Sequence, residues 1–247
     1  MHVERIEWGG LACFVVHELP EGTQPRLAVV LCHGFGASGS DLVGLAQPLI
    51  ALAPEIAEQV AFVFPAGPLS LDSRGIPGGR AWWMIDLNRL IYGPPPDLLE
   101  RFRRECPPGL PEARGALLEL IAEAGARFGL TSDRFVLGGF SQGSMLATDV
   151  ALRLPLPPAG LAILSGALIN EAEWRPLAEK RGSIAVLQSH GRQDSILPFP
   201  MGLVLHEMLL EAGTDVDFIP FNGDHEIPTA VVQRLAALLK RALTPDS

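Results

Sequence analysis

Seven short apolar runs recur along the chain: Leu11–His17, Leu27–Cys32, Val60–Phe64, Phe135–Gly138, Leu161–Leu164, Ile184–Gln188 and Val216–Pro220. Most are apolar at nearly every position and bounded by Gly, Pro or Asp. A strand with no polar face must be covered on both sides, which is the condition of a strand inside a parallel sheet. Stretches of helical periodicity stand between these runs. Pro111–Phe128 puts Leu117, Leu120, Ile121, Ala124 and Phe128 on one face. Met201, Val204, Leu205, Met208, Leu209 and Ala212 keep the same spacing and end at Gly213, a residue suited to a left-handed cap. Pro228 opens a last helix with Val231, Leu235, Leu238 and Ala242 turned inward. Alternating strands and helices predict an α/β fold with a mostly parallel central sheet flanked by helices. The first strand or two, joined by short turns, are open to antiparallel pairing.

The 247 residues suit one domain, 1–247, able to bury its own core without metal or disulfide staples. The net charge of −9 and the absence of a basic run argue against nucleic acid as a partner. Cys13, Cys32 and Cys106 are odd in number and share no CxxC spacing, so neither a disulfide framework nor a Cys-rich zinc site is expected. No HExxH, Walker or EF-hand pattern appears, so no metal or cofactor is expected. The apolar run at the N-terminus, Leu11 to Val16, is too short for a signal-peptide core, and no run approaches the length of a membrane span. The expectation is a cytoplasmic protein, monomer or homodimer, without integral membrane association.

Residues 66–96 break the rhythm. This stretch is rich in Gly and Pro and holds Trp82 and Trp83 side by side. A long irregular loop in a compact domain is usually functional, and paired Trp is costly to expose. The loop is therefore expected to be a flap over the active site. Trp82, Trp83, Met84 and Leu69, with Phe35, are expected to wall a substrate pocket for an acyl chain.

Gly139-Phe140-Ser141-Gln142-Gly143 is a G-x-S-x-G between a strand-like run and a helix-like one. Strand, sharp turn and helix form the setting of a nucleophile elbow. A serine hydroxyl needs a base, and the base needs an orienting acid. His225 lies in a polar loop after the last strand, at the carboxyl end where open α/β sheets place their sites. His206 falls on a helix, and His190 stands just before the acid candidate. Among carboxylates, Asp194 follows the strand Ile184–Gln188. Asp149 falls inside the helix after the elbow, Asp215 and Asp217 at the wrong end of the last strand. Asp224 is too close in sequence to reach the Nδ1 of His225. Ser141, Asp194 and His225 are thus the expected nucleophile, acid and base. The backbone N–H groups of Gln142 and Phe35 are the expected oxyanion donors.

A rival reading uses the same loop. Gly34, Gly36 and Gly39 form a literal G-x-G-x-x-G, the mark of a nucleotide-binding oxidoreductase. The next strand, Val60–Phe64, runs into Pro65-Ala66-Gly67 without the acid such a site needs for the ribose. A non-catalytic ligand-binding protein on the same fold is a second alternative.

HGFGASGSD at His33–Asp41, GFSQGS at Gly139–Ser144, SHGRQDSILP at Ser189–Pro198 and DHEIP at Asp224–Pro228 occur in this order. Together they resemble the phospholipase/carboxylesterase family of α/β-hydrolases, which includes acyl-protein thioesterases. The likeness runs from about Leu27 to Leu243. It implies an α/β-hydrolase fold without a large cap domain and the same triad and oxyanion donors. Gly78–Asn88, with Trp82-Trp83-Met84-Ile85-Asp86, resembles the family's Trp-containing loop near the acyl site. Ser144 stands where many members have Gly or Ala, and Asp224 where Gly usually precedes the His. The expected activity is hydrolysis of small carboxylic esters by an acyl-enzyme on Ser141, with thioesters and lysophospholipids as further substrate classes.

Overall fold

A computed structural model describes residues 1–85, 97–182 and 184–244. Ten strands run in chain order: β1 His2–Trp8, β2 Leu11–His17, β3 Leu27–Cys32, β4 Val60–Pro65, β5 Leu69–Ser70, β6 Arg80–Ala81, β7 Phe135–Phe140, β8 Gly160–Leu164, β9 Ala185–Gly191 and β10 Asp215–Phe221. Among the described residues seven helices accompany them: α1 Ala46–Leu52, α2 Leu98–Arg104, α3 Leu110–Phe128, α4 Gln142–Ala151, α5 Glu171–Arg181, α6 Phe199–Glu211 and α7 Thr229–Leu243.

Eight strands form one sheet in the order β1-β2-β4-β3-β7-β8-β9-β10. The pairs β1·β2 and β2·β4 are antiparallel and every other pair is parallel. β5 and β6 make a separate antiparallel ladder. The apolar character of β3 follows from its place in the sheet. Ala28, Val30 and Cys32 enter the cluster shared with α3, α4, α5 and α6, while Leu27, Val29 and Leu31 enter the cluster shared with α1 and α7. Each face of the strand is covered, so no position tolerates a polar side chain.

The central helix α4 is buried along its whole length. Asp149 on α4 is a fully buried carboxylate. It accepts from Arg114 Nε of α3, from Arg153 Nη1 at 2.7 Å and from Trp174 Nε1 of α5 at 2.7 Å. Three helices are thereby joined through one side chain, with Glu173 closing the network onto Arg153. A charge in such a place persists only because each lone pair has a donor.

All three cysteines are free, Cys13 and Cys32 buried and Cys106 exposed. Burial pushes the Cys13 thiol up to about 12 and raises that of Cys32 as well, so both are inert thiols at neutral pH. Among the described residues, no helix is long and apolar enough to cross a membrane.

Candidate active site

The turn from β7 into α4 is held in a backbone conformation that a side chain rarely adopts. Ser141 has φ 53° and ψ −120°. Such a residue carries strain of roughly 1–3 kcal/mol and persists where its surroundings over-determine it. Here the surroundings are specific. The Ser141 N–H donates to the Leu164 carbonyl at 2.8 Å, tying the elbow to the end of β8. The two flanking glycines let β3 pass directly underneath. A Cβ at Gly139 would lie 2.4 Å from the Cys32 carbonyl oxygen, and one at Gly143 2.1 Å from the same atom. The G-x-S-x-G pattern is thus a packing requirement. Ser144 donates its hydroxyl to the Ser141 carbonyl at 2.7 Å and steadies the turn from the helix side.

The loop after β3 lies against the elbow. A Cβ at Gly34 would stand 3.4 Å from the Cβ of Ser141. His33, 1% exposed, organises this loop. The Gly67 N–H donates to His33 Nε2 at 2.9 Å, so the ring proton sits on Nδ1, which donates to the Gly34 carbonyl at 2.7 Å. Burial lowers the pKa of His33 and keeps the imidazole neutral at neutral pH. A peptide is planar and trans, so fixing the Gly34 carbonyl also fixes the Phe35 N–H on the other side of that plane.

The Gln142 side chain has a part that sequence reasoning missed. Its Oε1 accepts from the Trp82 N–H at 3.1 Å, and its Nε2 donates to the Trp83 carbonyl at 2.8 Å. Trp82 Nε1 donates to the His33 carbonyl at 2.9 Å, and its ring lies 5.3 Å from that of His33. The Trp82–Trp83 segment is therefore stapled to both the elbow and the loop after β3. No local pattern marks this contact, because its partners stand about 60 residues apart and meet through the main chain of Trp82 and Trp83. The Gln142 backbone N–H is at the first position of α4, where no helical carbonyl reaches it.

Asp194 and His225 come together across two loops. His225 Nδ1 donates to Asp194 Oδ2 at 2.7 Å. The other oxygen, Oδ1, accepts from the N–H groups of Ile196 at 3.0 Å and Leu197 at 2.7 Å. With Nδ1 committed, Nε2 of His225 is the nitrogen left to accept a proton. The Phe140 ring, one residue before Ser141, lies 4.6 Å from the imidazole and sets His225 beside the elbow. His190 sits on β9, which extends further than its apolar run. It is buried and neutral, with burial lowering its pKa, and its Nε2 donates to the Leu197 carbonyl at 2.7 Å. It braces the segment whose amides hold Asp194.

The remaining candidates are placed elsewhere. Asp215 and Asp217 pair with Arg241 and Arg234 on α7. His206 stacks on Phe218 at 4.4 Å. Asp224 accepts from its neighbour's N–H and from Ser195, not from the imidazole. Trp82 and Trp83 are each 1% exposed and belong to the core cluster, whereas Leu69 is 37% and Met84 41% exposed. The two tryptophans are core side chains, whereas Leu69 and Met84 are at the surface. The part of the flap from Asp86 to Pro96 lies outside the described residues. The glycines of the G-x-G-x-x-G are also committed: the Gly36 N–H donates to the Arg80 carbonyl at 2.9 Å, and the Arg80 N–H to the Ala37 carbonyl at 3.0 Å. That turn is bound to β6, and it leads through a short 3-10 turn, Asp41–Leu45, into the seven-residue α1. Among the described residues, no three His, Cys, Asp or Glu side chains are grouped to hold a metal.

A mostly parallel eight-stranded sheet, helices on both faces and a strained serine at the strand–helix elbow make this an α/β-hydrolase. Residues 13–243 match the phospholipase/carboxylesterase family, and the chain belongs to it. It is 29% identical over 227 residues to acyl-protein thioesterase 1 of Kluyveromyces lactis, covering 89% of this chain and 94% of that protein. The crystal structure of esterase PE8 superposes with a TM-score of 0.78 at 26% identity, over 96% of this chain and all of that one. A carboxylesterase from Mesorhizobium loti shares the fold, with a TM-score of 0.73 at 19% identity over 97% of this chain and 99% of that one.

Proposed function

We propose that the chain is a serine carboxylesterase that works through an acyl-enzyme on Ser141. The observation that carries this reading is the 2.7 Å bond between Asp194 and His225 beside the strained elbow of Ser141. His225 Nε2 takes the hydroxyl proton as Ser141 Oγ attacks the carbonyl carbon. The oxyanion of the tetrahedral intermediate is held by the N–H groups of Phe35 and Gln142. Collapse breaks the bond to the leaving oxygen, which departs with the proton from His225. Water, deprotonated by the same imidazole, then attacks the acyl group, and the second collapse frees the acid and returns the proton to Ser141. Asp194 holds the imidazole with its proton on Nδ1 and stabilises the imidazolium between the steps.

The likeness to esterase PE8 and to acyl-protein thioesterase 1 of Kluyveromyces lactis supports oxygen esters and thioesters as substrate classes. The same residues serve both, since only the leaving atom differs. A phosphonate ester reporter should label Ser141 alone. Ser141→Ala should lose both the label and the hydrolysis of aryl esters, by about 10⁴-fold or more in kcat, with its melting temperature kept. A Ser141→Ala protein that kept several per cent of the activity would defeat the assignment. Tight binding without turnover by the wild type would favour a ligand-binding protein instead.

A further inference from the structure

One carboxylate outside the acid–base pair ties the two catalytic loops together. Asp224 immediately precedes His225, and Ser195 immediately follows Asp194. Asp224 Oδ1 accepts from the Ser195 N–H at 2.7 Å, from the Ser195 hydroxyl at 2.9 Å and from the His225 N–H at 2.8 Å. Its second oxygen is 3.1 Å from the same hydroxyl. The neighbouring backbone runs in close parallel contact. The Gln193 N–H donates to the Gly223 carbonyl at 3.0 Å and the Arg192 N–H to the Phe221 carbonyl at 2.8 Å. A Cβ at Gly191 would stand 2.2 Å from the Asp224 carbonyl oxygen.

We infer that Asp224 is a positioning residue, whose carboxylate clamps the acid loop to the base loop and so sets the separation of Asp194 and His225. This rests on the triad reading above. The Asp194–His225 bond alone fixes one distance between two side chains. The clamp adds a link between the backbone amides on either side of it, so the imidazole is held both by its ring and by its main chain. Asp224 is solvent-exposed and does not touch the ring. Its hydrogen bonds from Ser195, the larger effect, and from the His225 N–H hold its carboxyl below the usual range, so the acceptor is ionised at neutral pH. Reactive geometry is steep in distance, and small misplacements of a base are felt in kcat rather than in binding.

The test uses the full chain and a series of aryl esters. Asp224→Ala removes the acceptor and should lower kcat about 5- to 50-fold with KM within about two-fold. Asp224→Asn keeps Oδ1 as an acceptor for both amides and should restore most of kcat. In an Asp194→Asn background, where alignment is already lost, Asp224→Ala should cost less than about two-fold further. Should Asp224→Ala melt early, Asp224→Glu moves the acceptor by one methylene and should show the same kcat loss with the melting temperature kept. The inference fails if Asp224→Ala keeps kcat within two-fold of wild type. It also fails if Asn is as impaired as Ala, or if the Asp194 and Asp224 losses simply multiply. Failure of the triad reading would look different: Ser141→Ala and Asp194→Asn would themselves stay active.

Discussion

His33 Nδ1 donates to the Gly34 carbonyl at 2.7 Å, while the Gly67 N–H occupies Nε2 at 2.9 Å. One buried imidazole thus fixes the peptide plane that carries the Phe35 N–H. A preorganised donor is effective because it needs no reorientation when charge develops on the substrate. His33→Phe keeps a flat ring beside Trp82 but can neither donate nor accept. It should lower kcat by about 10- to 100-fold with little change in KM, since losing one oxyanion donor outright costs about 10²–10³. The orphaned Gly67 N–H should also lower stability by about 1–3 kcal/mol. Steady-state kinetics beside a urea melt checks both, and an unchanged kcat would separate His33 from the oxyanion site.

Four histidines, His33 and His190 buried and His17 and His206 half-buried, give folding a pH dependence whose sign can be worked out. Burial lowers the pKa of His17, His33, His190 and His206 below 6.5 in the folded chain. In the unfolded chain they titrate near 6.5. Between those values the unfolded state binds more protons, so stability rises with pH there and falls on acidification from about 6.5. The exposed carboxylates with lowered values, Glu55, Asp72, Glu173 and Asp224, lose their contribution only as pH falls below about 4.5. The melting temperature should therefore drop between pH 7.5 and 5.5, and less so in His190→Gln, which removes one buried imidazole. A melting temperature that is flat or rises over that interval would contradict the lowered values of these four rings.

Asp149 offers a stability test away from the chemistry. Its two oxygens receive Arg114, Arg153 and the Trp174 indole, joining α3, α4 and α5. Replacing it by Ala leaves two guanidinium groups, each under 20% exposed, and an indole N–H short of a partner. Breaking one side of a buried ion pair costs about 3–5 kcal/mol. Glu173 stays beside Arg153 and Arg114, so the lower part of that range is expected. Activity per folded molecule should change little. A urea-melt difference below about 0.5 kcal/mol would show the network to be dispensable.

What could be read in the sequence follows how strongly burial marks each element. β3 and β7 are covered on both faces, so their apolar runs announce them. β1 lies at the sheet edge with only Trp8 buried, and its His-Val-Glu-Arg-Ile-Glu pattern hides it. α5 is charged, contains Pro176, and buries only Trp174 and Ala178, so it shows almost no apolar stripe. β9 runs on through Ser189 and His190 because those polar side chains are buried at its end. At the site, the strained Ser141 and the hydrogen-bonded Asp194 and His225 stand in a tight turn and in two polar loops after strands, which leave local marks. The contacts of His33 with Gly67 and of Gln142 with Trp82 span 34 and 60 residues and leave none.

The paired tryptophans fit either of two roles. Adjacent Trp in a Gly-rich loop must find burial, and an acyl pocket and the protein core satisfy that need equally well. In the fold, Trp82 gives its indole N–H to the His33 carbonyl and its own amide to Gln142, and Trp83 packs into the core cluster with 1% of its surface exposed. A ring sealed in this way has almost no surface to offer an acyl chain. Its removal acts through the elbow and the loop after β3, which every substrate uses. Trp83→Ala should destabilise by about 3–5 kcal/mol, the usual cost of deleting a buried large aromatic. Trp82→Ala should do the same and also lower kcat, because it frees the loop that carries Phe35. In both variants kcat/KM should fall by the same factor for acetyl, butyryl and octanoyl esters. Measuring that series beside a melting curve decides between the two roles. A loss confined to the longer acyl chains, with the melting temperature unchanged, would return the pair to the pocket wall.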